Sequence, residues 1–242
     1  MTIYLLSLKE LNNGVIGEKL AKECLLKLDT YRLEKVQKLR MGSARNGAIG
    51  AGLLLQLASV WDAGQDFRAD GHGQVHCVHL TISELLKHLD SEEFPRRIAY
   101  SYGTHGKPDF EKGDKHFNLS HSGGYVCCAV GLQEMGIDLQ DRRPLKNFRI
   151  AQRYFSEKEK TALERCVDPM QKEELFYRIW VKKEAYAKLT GEGIATGVTV
   201  DTYADGGNKT ADAASGANRV VWQELEAPEG YCMAVCCYRS IF

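Results

Sequence analysis

The alternation of apolar and polar positions sorts the chain into short strands and helices with one apolar face. Ile3 to Leu8 is an apolar run of strand length. Gly17 to Leu28 puts Leu20, Cys24 and Leu28 on one helical face, with charges on the others, and a second helix is predicted over Tyr31 to Leu39. Ala44 to Val60 is apolar enough for a core helix despite Gly47, Gly50 and Gly52, each of which lowers helix propensity by about 1 kcal/mol relative to Ala. Glycines in such a helix imply close packing or a neighbouring ligand. Strands are predicted at Phe117 to Val130 and Gly136 to Gln140, and helices across Phe148 to Cys166, where Ser156 and Glu159 have the spacing of a capping box. A long helix, Gln171 to Leu189, ends at Gly191. Val198 to Tyr203, Val220 to Glu226 and Tyr231 to Tyr238 read as a closing antiparallel sheet, with Ala204 to Asn218 a long hairpin loop rich in Gly, Ala, Asn and Asp.

This order of elements predicts an α+β architecture in two halves, residues 1–134 and 135–242, each with helices packed on a small antiparallel sheet. The first run of strands gives way to Gly136 just after Glu134, which places the division there. No internal repeat is strong enough to define a repeat protein.

Composition narrows the function. A chain of 242 residues, 44% hydrophobic, can bury one large core or two small ones. Lys+Arg 32 against Asp+Glu 32 gives no global field that would draw it onto nucleic acid or anionic lipid, so a charged partner must meet a local patch. The eight cysteines are scattered, with adjacent pairs at Cys127-Cys128 and Cys236-Cys237, and suit neither a disulfide framework nor a Cys-x-x-Cys zinc site. The start of the chain meets Lys9 and Glu10 before any long apolar run, unlike a signal peptide, and no later run is long enough to span a bilayer. The expectation is a cytoplasmic protein with reduced core cysteines.

Two segments bring chemistry-bearing side chains together. In Gly136-Ile137-Asp138-Leu139-Gln140 the strand alternation sends Asp138 and Gln140 to one face. In the long helix Trp180, Glu184 and Lys188 follow at i, i+4 and i+8, with Lys183 beside them, so that an acid is flanked by cations. Taken alone, a Glu and Lys at this spacing read as a solvated helix pair. Two more segments are suited to phosphate: the turn Gly106-Lys107-Pro108 and the polar strand Asn118-Leu119-Ser120-His121-Ser122-Gly123-Gly124. Ser120 next to His121 does not make a hydrolase triad, whose members meet through the fold, and no Gly-x-Ser-x-Gly elbow occurs. Neither a P-loop nor a Gly-x-Gly-x-x-Gly fingerprint is present.

In order along the chain, Gly106-Lys107-Pro108, Phe117-Asn118-Leu119-Ser120-His121-Ser122, Gly136-Ile137-Asp138, Arg153-Tyr154-Phe155-Ser156 and Trp180-x-x-Lys183-Glu184-Ala185-x-x-Lys188 resemble the phosphopantetheinyl transferases of the surfactin-synthetase-activating type. The resemblance runs from about Tyr31 to Gly193 and touches Gly230 to Cys236. It implies a monomer of two pseudo-equivalent halves, with coenzyme A in the cleft between them. The activity it implies is transfer of 4'-phosphopantetheine to a serine of an apo acyl or peptidyl carrier protein, with release of 3',5'-ADP. Asp138 and Glu184 would ligate Mg2+, with Mn2+ as an alternative, and Gln140 would contribute directly or through water. Glu184 is also the candidate base, and Lys188 would stabilise charge on the pyrophosphate and the leaving group. Ser120 and His121 would contact the phosphates. Arg45, Lys107 and Pro108 would lie at the adenosine end, with no role fixed for Lys183.

Two departures stand out. Gln140 occupies a position where the family often has a third acid. The chain between Gly50 and Gly106 is longer than usual and holds His72, His76 and His79 near Cys77, read as a surface strand and turn in preference to a zinc or nickel site. Arg142, Arg143, Lys146, Arg149 and Arg153 are the candidate patch for an acidic carrier helix. Two other readings stay open: a degenerate relative that binds coenzyme A or a carrier without turnover, and a metal-dependent pyrophosphate hydrolase using the same carboxylates.

Overall fold

The structure, a computed structural model, describes residues 1–60, 75–91, 94–95, 97–103, 105–145, 148–193, 200–203, 210–215 and 218–238, with backbone alone for 91, 210–215 and 218–219. In chain order the elements are β1 (Thr2–Ser7), α1 (Gly14–Lys27), α2 (Thr30–Gln37), α3 (Ser43–Ser59), β2 (His76–Leu80), α4 (Ile82–Ser91), β3 (Tyr100–Tyr102) and β4 (Pro108–Phe110). They continue with β5 (His116–Ser122), β6 (Tyr125–Gly131), β7 (Met135–Asp141), α5 (Arg149–Tyr154), α6 (Glu157–Arg165), α7 (Pro169–Thr190), β8 (Thr210–Ser215), β9 (Asn218–Leu225) and β10 (Tyr231–Tyr238). The architecture is α+β. Among the described residues no helix is long and apolar enough to cross a membrane.

The chain forms two compact units, Met1–Ser101 with Pro108–Leu132, and Tyr102–Lys107 with Gln133–Phe242. In the first unit the sheet runs β2-β1-β6-β5, and β3 pairs with β4 separately. The expected antiparallel sheet is corrected at one edge, where β2 lies parallel to β1. Residues 8–75 separate the two strands, and the described part of that span holds α1, α2 and α3, consistent with the long crossover that a parallel pair requires. Helix α3 supplies Ile49, Leu53, Leu54 and Leu55 to a core shared with Leu6, Val126, Cys128 and Val130. A Cβ on Gly50 would lie 2.8 Å from Leu8 Cδ2, and one on Gly52 would lie 2.6 Å from Leu28 Cδ2, so these two glycines are explained by close packing.

Helix α4 was not expected from the sequence, although its signals are local. Thr81 and Glu84 cap its start reciprocally, and Ile82, Leu85, Leu86 and Leu89 face the core. In the second unit the sheet runs β7-β10-β9-β8, all antiparallel, and α7 packs across β7 and β10. The predicted capping box at Ser156 and Glu159 is formed, and α7 ends at Gly191 in the left-handed region with φ 75°.

Two expectations near the C-terminus fail. Of the strand expected at Val198 to Tyr203, residues 200–203 form no strand and 198–199 lie outside the described residues. The groups a ladder would need are taken by side chains: Val200 O accepts from Lys183 Nζ, and Thr202 N donates to Glu159 Oε1. Within the segment expected to be a loop, Thr210–Ser215 is strand β8, paired to β9. Its Thr-Ala-Asp-Ala-Ala-Ser sequence lacks the apolar alternation by which strands are recognised. No disulfide joins any of the eight cysteines, and burial pushes the thiols of Cys24 and Cys232 up to about 12 and about 11.

Candidate functional site

The site is built where β7 meets the last turns of α7 in the second unit. Alternation along β7 buries Ile137 and Leu139 on one face and turns Asp138 and Gln140 to the other. Opposite them on β10 stand the small residues Ala234 and Cys232, buried in a core cluster with Phe176 and Ile179 of α7. Helix α7 comes down on this face at Gly136. A Cβ there would collide with the carbonyl oxygen of Ala185 and lie 2.6 Å from Leu189 N, so the strand and helix backbones touch only because the residue is glycine. That contact sets Asp138 against the turn of α7 carrying Glu184 and Lys188.

Asp138 is 2% exposed. Its Oδ1 accepts from Lys188 Nζ at 2.7 Å, and its Oδ2 accepts from Gln140 Nε2 at 3.0 Å. Lys188 Nζ also donates to Ile137 O at 3.0 Å. Glu184, one helical turn before Lys188, is partly buried. Burial pushes its carboxyl up to about 7, the Asp138 charge adds to the rise, and Lys188 acts in the opposite direction. With both acids ionised, the pair of carboxylates and one ammonium carry a net charge of −1 in a desolvated place. Two hard carboxylates with an adjacent amide fit a small divalent cation that keeps several of its waters, and a bound cation would remove the cost of ionising Glu184. No group of three or more His, Cys, Asp or Glu side chains is gathered among the described residues.

The other expected residues fall elsewhere. Lys183, adjacent to Glu184, turns away. Its ammonium pairs with Glu159 at 2.9 Å and donates to Val200 O, and both side chains are fully buried. Glu159 also accepts from Thr202, and none of this pairing was anticipated, although the capping box had marked Glu159. Lys182 pairs with Glu224 at 2.7 Å, and Trp180 stacks on Phe176. Lys107, expected at a phosphate, directs its ammonium to Leu189 O at 3.0 Å and Met135 O at 3.3 Å.

Arg45 (near the start of α3), Pro108 (first residue of β4), Ser120 and His121 (on β5) belong to the first unit. Ser120 is buried and His121 exposed. His76 and His79 are exposed on β2, while His72 lies outside the described residues. In the basic segment, Arg142 pairs with Glu174 and Arg143 with Asp141, whereas Arg149 and Arg153 are exposed on α5 and Lys146 is not described.

Comparison with known proteins converges on the same stretch. The family model for the 4'-phosphopantetheinyl transferase superfamily matches residues 134–236, the span from the start of β7 to β10. The 4'-phosphopantetheinyl transferase psf-1 of Bacillus pumilus is 33% identical over 159 residues, 63% of this chain and 67% of that protein. A 4'-phosphopantetheinyl transferase of Bacillus subtilis is 32% identical over 147 residues, covering 59% of this chain and 64% of the relative. HetI of Nostoc sp., also named a 4'-phosphopantetheinyl transferase, is 39% identical over 107 residues, 42% of this chain and 45% of its own. Across these three the aligned region spans between about half and two thirds of the relative's length.

Proposed function

The chain belongs to the 4'-phosphopantetheinyl transferase superfamily, and from that premise we propose that it transfers the 4'-phosphopantetheine moiety of coenzyme A to a serine of an apo acyl or peptidyl carrier protein, releasing 3',5'-ADP. The observation that carries the reading is the meeting of Asp138, Glu184 and Lys188 within the residues matched to the family. On the same reading the protein is of the surfactin-synthetase-activating type, a cytoplasmic monomer whose two units are the pseudo-equivalent halves of that type.

Asp138 and Glu184 would hold Mg2+ or Mn2+, with Gln140 joining directly or through water. When bound, the metal supplies positive charge to the pyrophosphate oxygens of coenzyme A. The chain's own residues do the rest. Glu184 accepts the proton of the acceptor serine as its oxygen bonds to the β-phosphorus. With a cation bound beside it Glu184 is ionised, the state in which a carboxylate accepts a proton. The bond from the β-phosphorus to the bridging oxygen breaks, and that oxygen leaves with 3',5'-ADP. Lys188, held by Asp138 Oδ1 and Ile137 O, sets a fixed cation beside the charge that develops on the leaving group. Arg45, Pro108, Ser120 and His121 are the proposed contacts for the adenosine and phosphate end of coenzyme A. Lys107 was expected there as well, but its ammonium is engaged by Leu189 and Met135.

The test is intact mass spectrometry of an apo carrier incubated with coenzyme A, Mg2+ and the protein, beside Glu184→Gln and a chelated control. A gain of one phosphopantetheine, lost in both controls, is the expected result. No gain on any of several carriers, with coenzyme A still bound, would leave a binding protein. Release of 3',5'-ADP and free phosphopantetheine without a carrier would make it a hydrolase.

A further inference from the structure

Lys107 lies in a turn whose sequence suggests a phosphate ligand, and its geometry does not follow that suggestion. Gly103 N donates to Lys107 O at 2.9 Å and Gly106 N to Gly103 O at 2.8 Å, which brings Gly103, Gly106 and Lys107 together in a compact turn. This short stretch, Tyr102–Lys107, clusters with the second unit although the chain on both sides of it belongs to the first. It lies on the end of α7: a Cβ placed on Gly191 would be 3.8 Å from Lys107 Cβ and 4.0 Å from His105 Cβ.

From there the ammonium reaches two backbone carbonyls. Leu189 O is one of the last four carbonyls of α7, which have no donor within the helix, and a cation at that end also meets the negative pole of the helix dipole. Met135 O opens β7. Met135 and Leu189 flank the place where Gly136 touches the Ala185 to Leu189 backbone. One side chain therefore ties strand to helix at the contact that sets Asp138 against Glu184 and Lys188.

We infer that Lys107 is a positioning residue, a staple between β7 and the end of α7 that fixes the register of Asp138 with Glu184 and Lys188, and that its charge is not spent on a phosphate of the substrate. What the cluster is held in register for rests on the transferase reading; the staple itself does not. A phosphate ligand would act on the affinity for coenzyme A, and chiefly on the contribution of one phosphate. A staple acts on the cluster even when no substrate is present.

Mn2+ binding to the full chain without coenzyme A, followed by the EPR signal of the free ion, separates the two. In Lys107→Met, which a half-buried side chain accommodates, Mn2+ affinity is expected to weaken on the order of tenfold, the scale of one charge-assisted hydrogen bond. Lys107→Arg keeps donors at the same place and should recover to within about twofold. With a carrier, Lys107→Met should lower kcat, leave KM for coenzyme A unchanged and keep the preference for coenzyme A over 3'-dephospho-coenzyme A. Unchanged Mn2+ affinity in Lys107→Met, or a collapse of that preference, overturns the inference. Should the parent protein modify no carrier, the transferase reading falls while the Mn2+ comparison still decides the staple.

Discussion

Glu184→Gln is predicted to make the metal-free protein more stable, by an amount that depends on pH. Burial and the Asp138 charge hold the folded-state carboxyl at about 7, against an ordinary value of 4.5. A carboxyl whose pKa is raised on folding binds more protons in the folded state than in the unfolded one between these two values. The stability it contributes is complete below pH 4.5 and is lost as pH climbs through 7. A rise of about 2.5 units corresponds to about 3 kcal/mol at 1.36 kcal/mol per unit. Glutamine keeps the shape and carries no charge to desolvate, so the variant lacks this loss. Urea unfolding of both proteins in chelator, from pH 5 to 8.5, should show the variant gaining on its parent by about 2.5 kcal/mol across that window and levelling off above pH 8. Added Mg2+ should then restore the parent at pH 8 and leave the variant unmoved, because a ligand that binds only the folded state adds stability by RT ln(1 + L/Kd), where L is its free concentration. A stability difference that stays flat with pH would refute the assignment of a desolvated, Asp138-coupled carboxyl at this position.

Further outcomes follow from the same geometry. Gly136→Ala drives a methyl into the backbone of α7 and should cost more than about 3 kcal/mol, read by urea unfolding, since backbone cannot yield as a side-chain end can. Lys183→Met leaves Glu159 charged and fully buried and should cost about 3–5 kcal/mol, whereas Lys183→Met with Glu159→Gln, which removes the charge and keeps an acceptor for Thr202 and the capping box, should recover most of that loss; a double variant as unstable as the single one would contradict the pairing. Gln140→Glu adds a third carboxylate beside Asp138 and should tighten Mn2+ binding on the order of tenfold in a calorimetric titration. Reversing Arg149 and Arg153 to Glu should weaken carrier affinity on the order of tenfold at low salt and flatten its salt dependence; unchanged affinity would remove α5 as the docking face.

What the sequence disclosed and what it hid divide along the range of the interaction involved. The Ser156 capping box, the end of α7 at Gly191, the alternation at Asp138 and Gln140, and the Glu184 to Lys188 spacing are set by residues at most four apart, and all four stand in the structure. The three consecutive charges Lys182, Lys183 and Glu184 are the opposite case. Successive residues on a helix point about 100° apart. A helix with one buried face would turn at most part of such a triplet inward, which favours reading it as solvated. Helix α7 is surrounded instead: Lys182 meets Glu224 of β9, Lys183 meets Glu159 of α6, and Glu184 meets the charge of Asp138 on β7. Those partners lie more than twenty residues away along the chain, so no local pattern announces them. The same reasoning covers Lys107, whose turn looks complete in itself while the carbonyls it serves are supplied by β7 and α7. Lys182, Lys183 and Lys188 each have a carboxylate within 2.9 Å, and Lys188 is the cation the two site acids share. Lys182 and Lys183 are thereby engaged away from Asp138 and Glu184, which share the ammonium of Lys188, and on the proposed reading that local excess of negative charge is what suits a common acid and lysine spacing to a divalent cation.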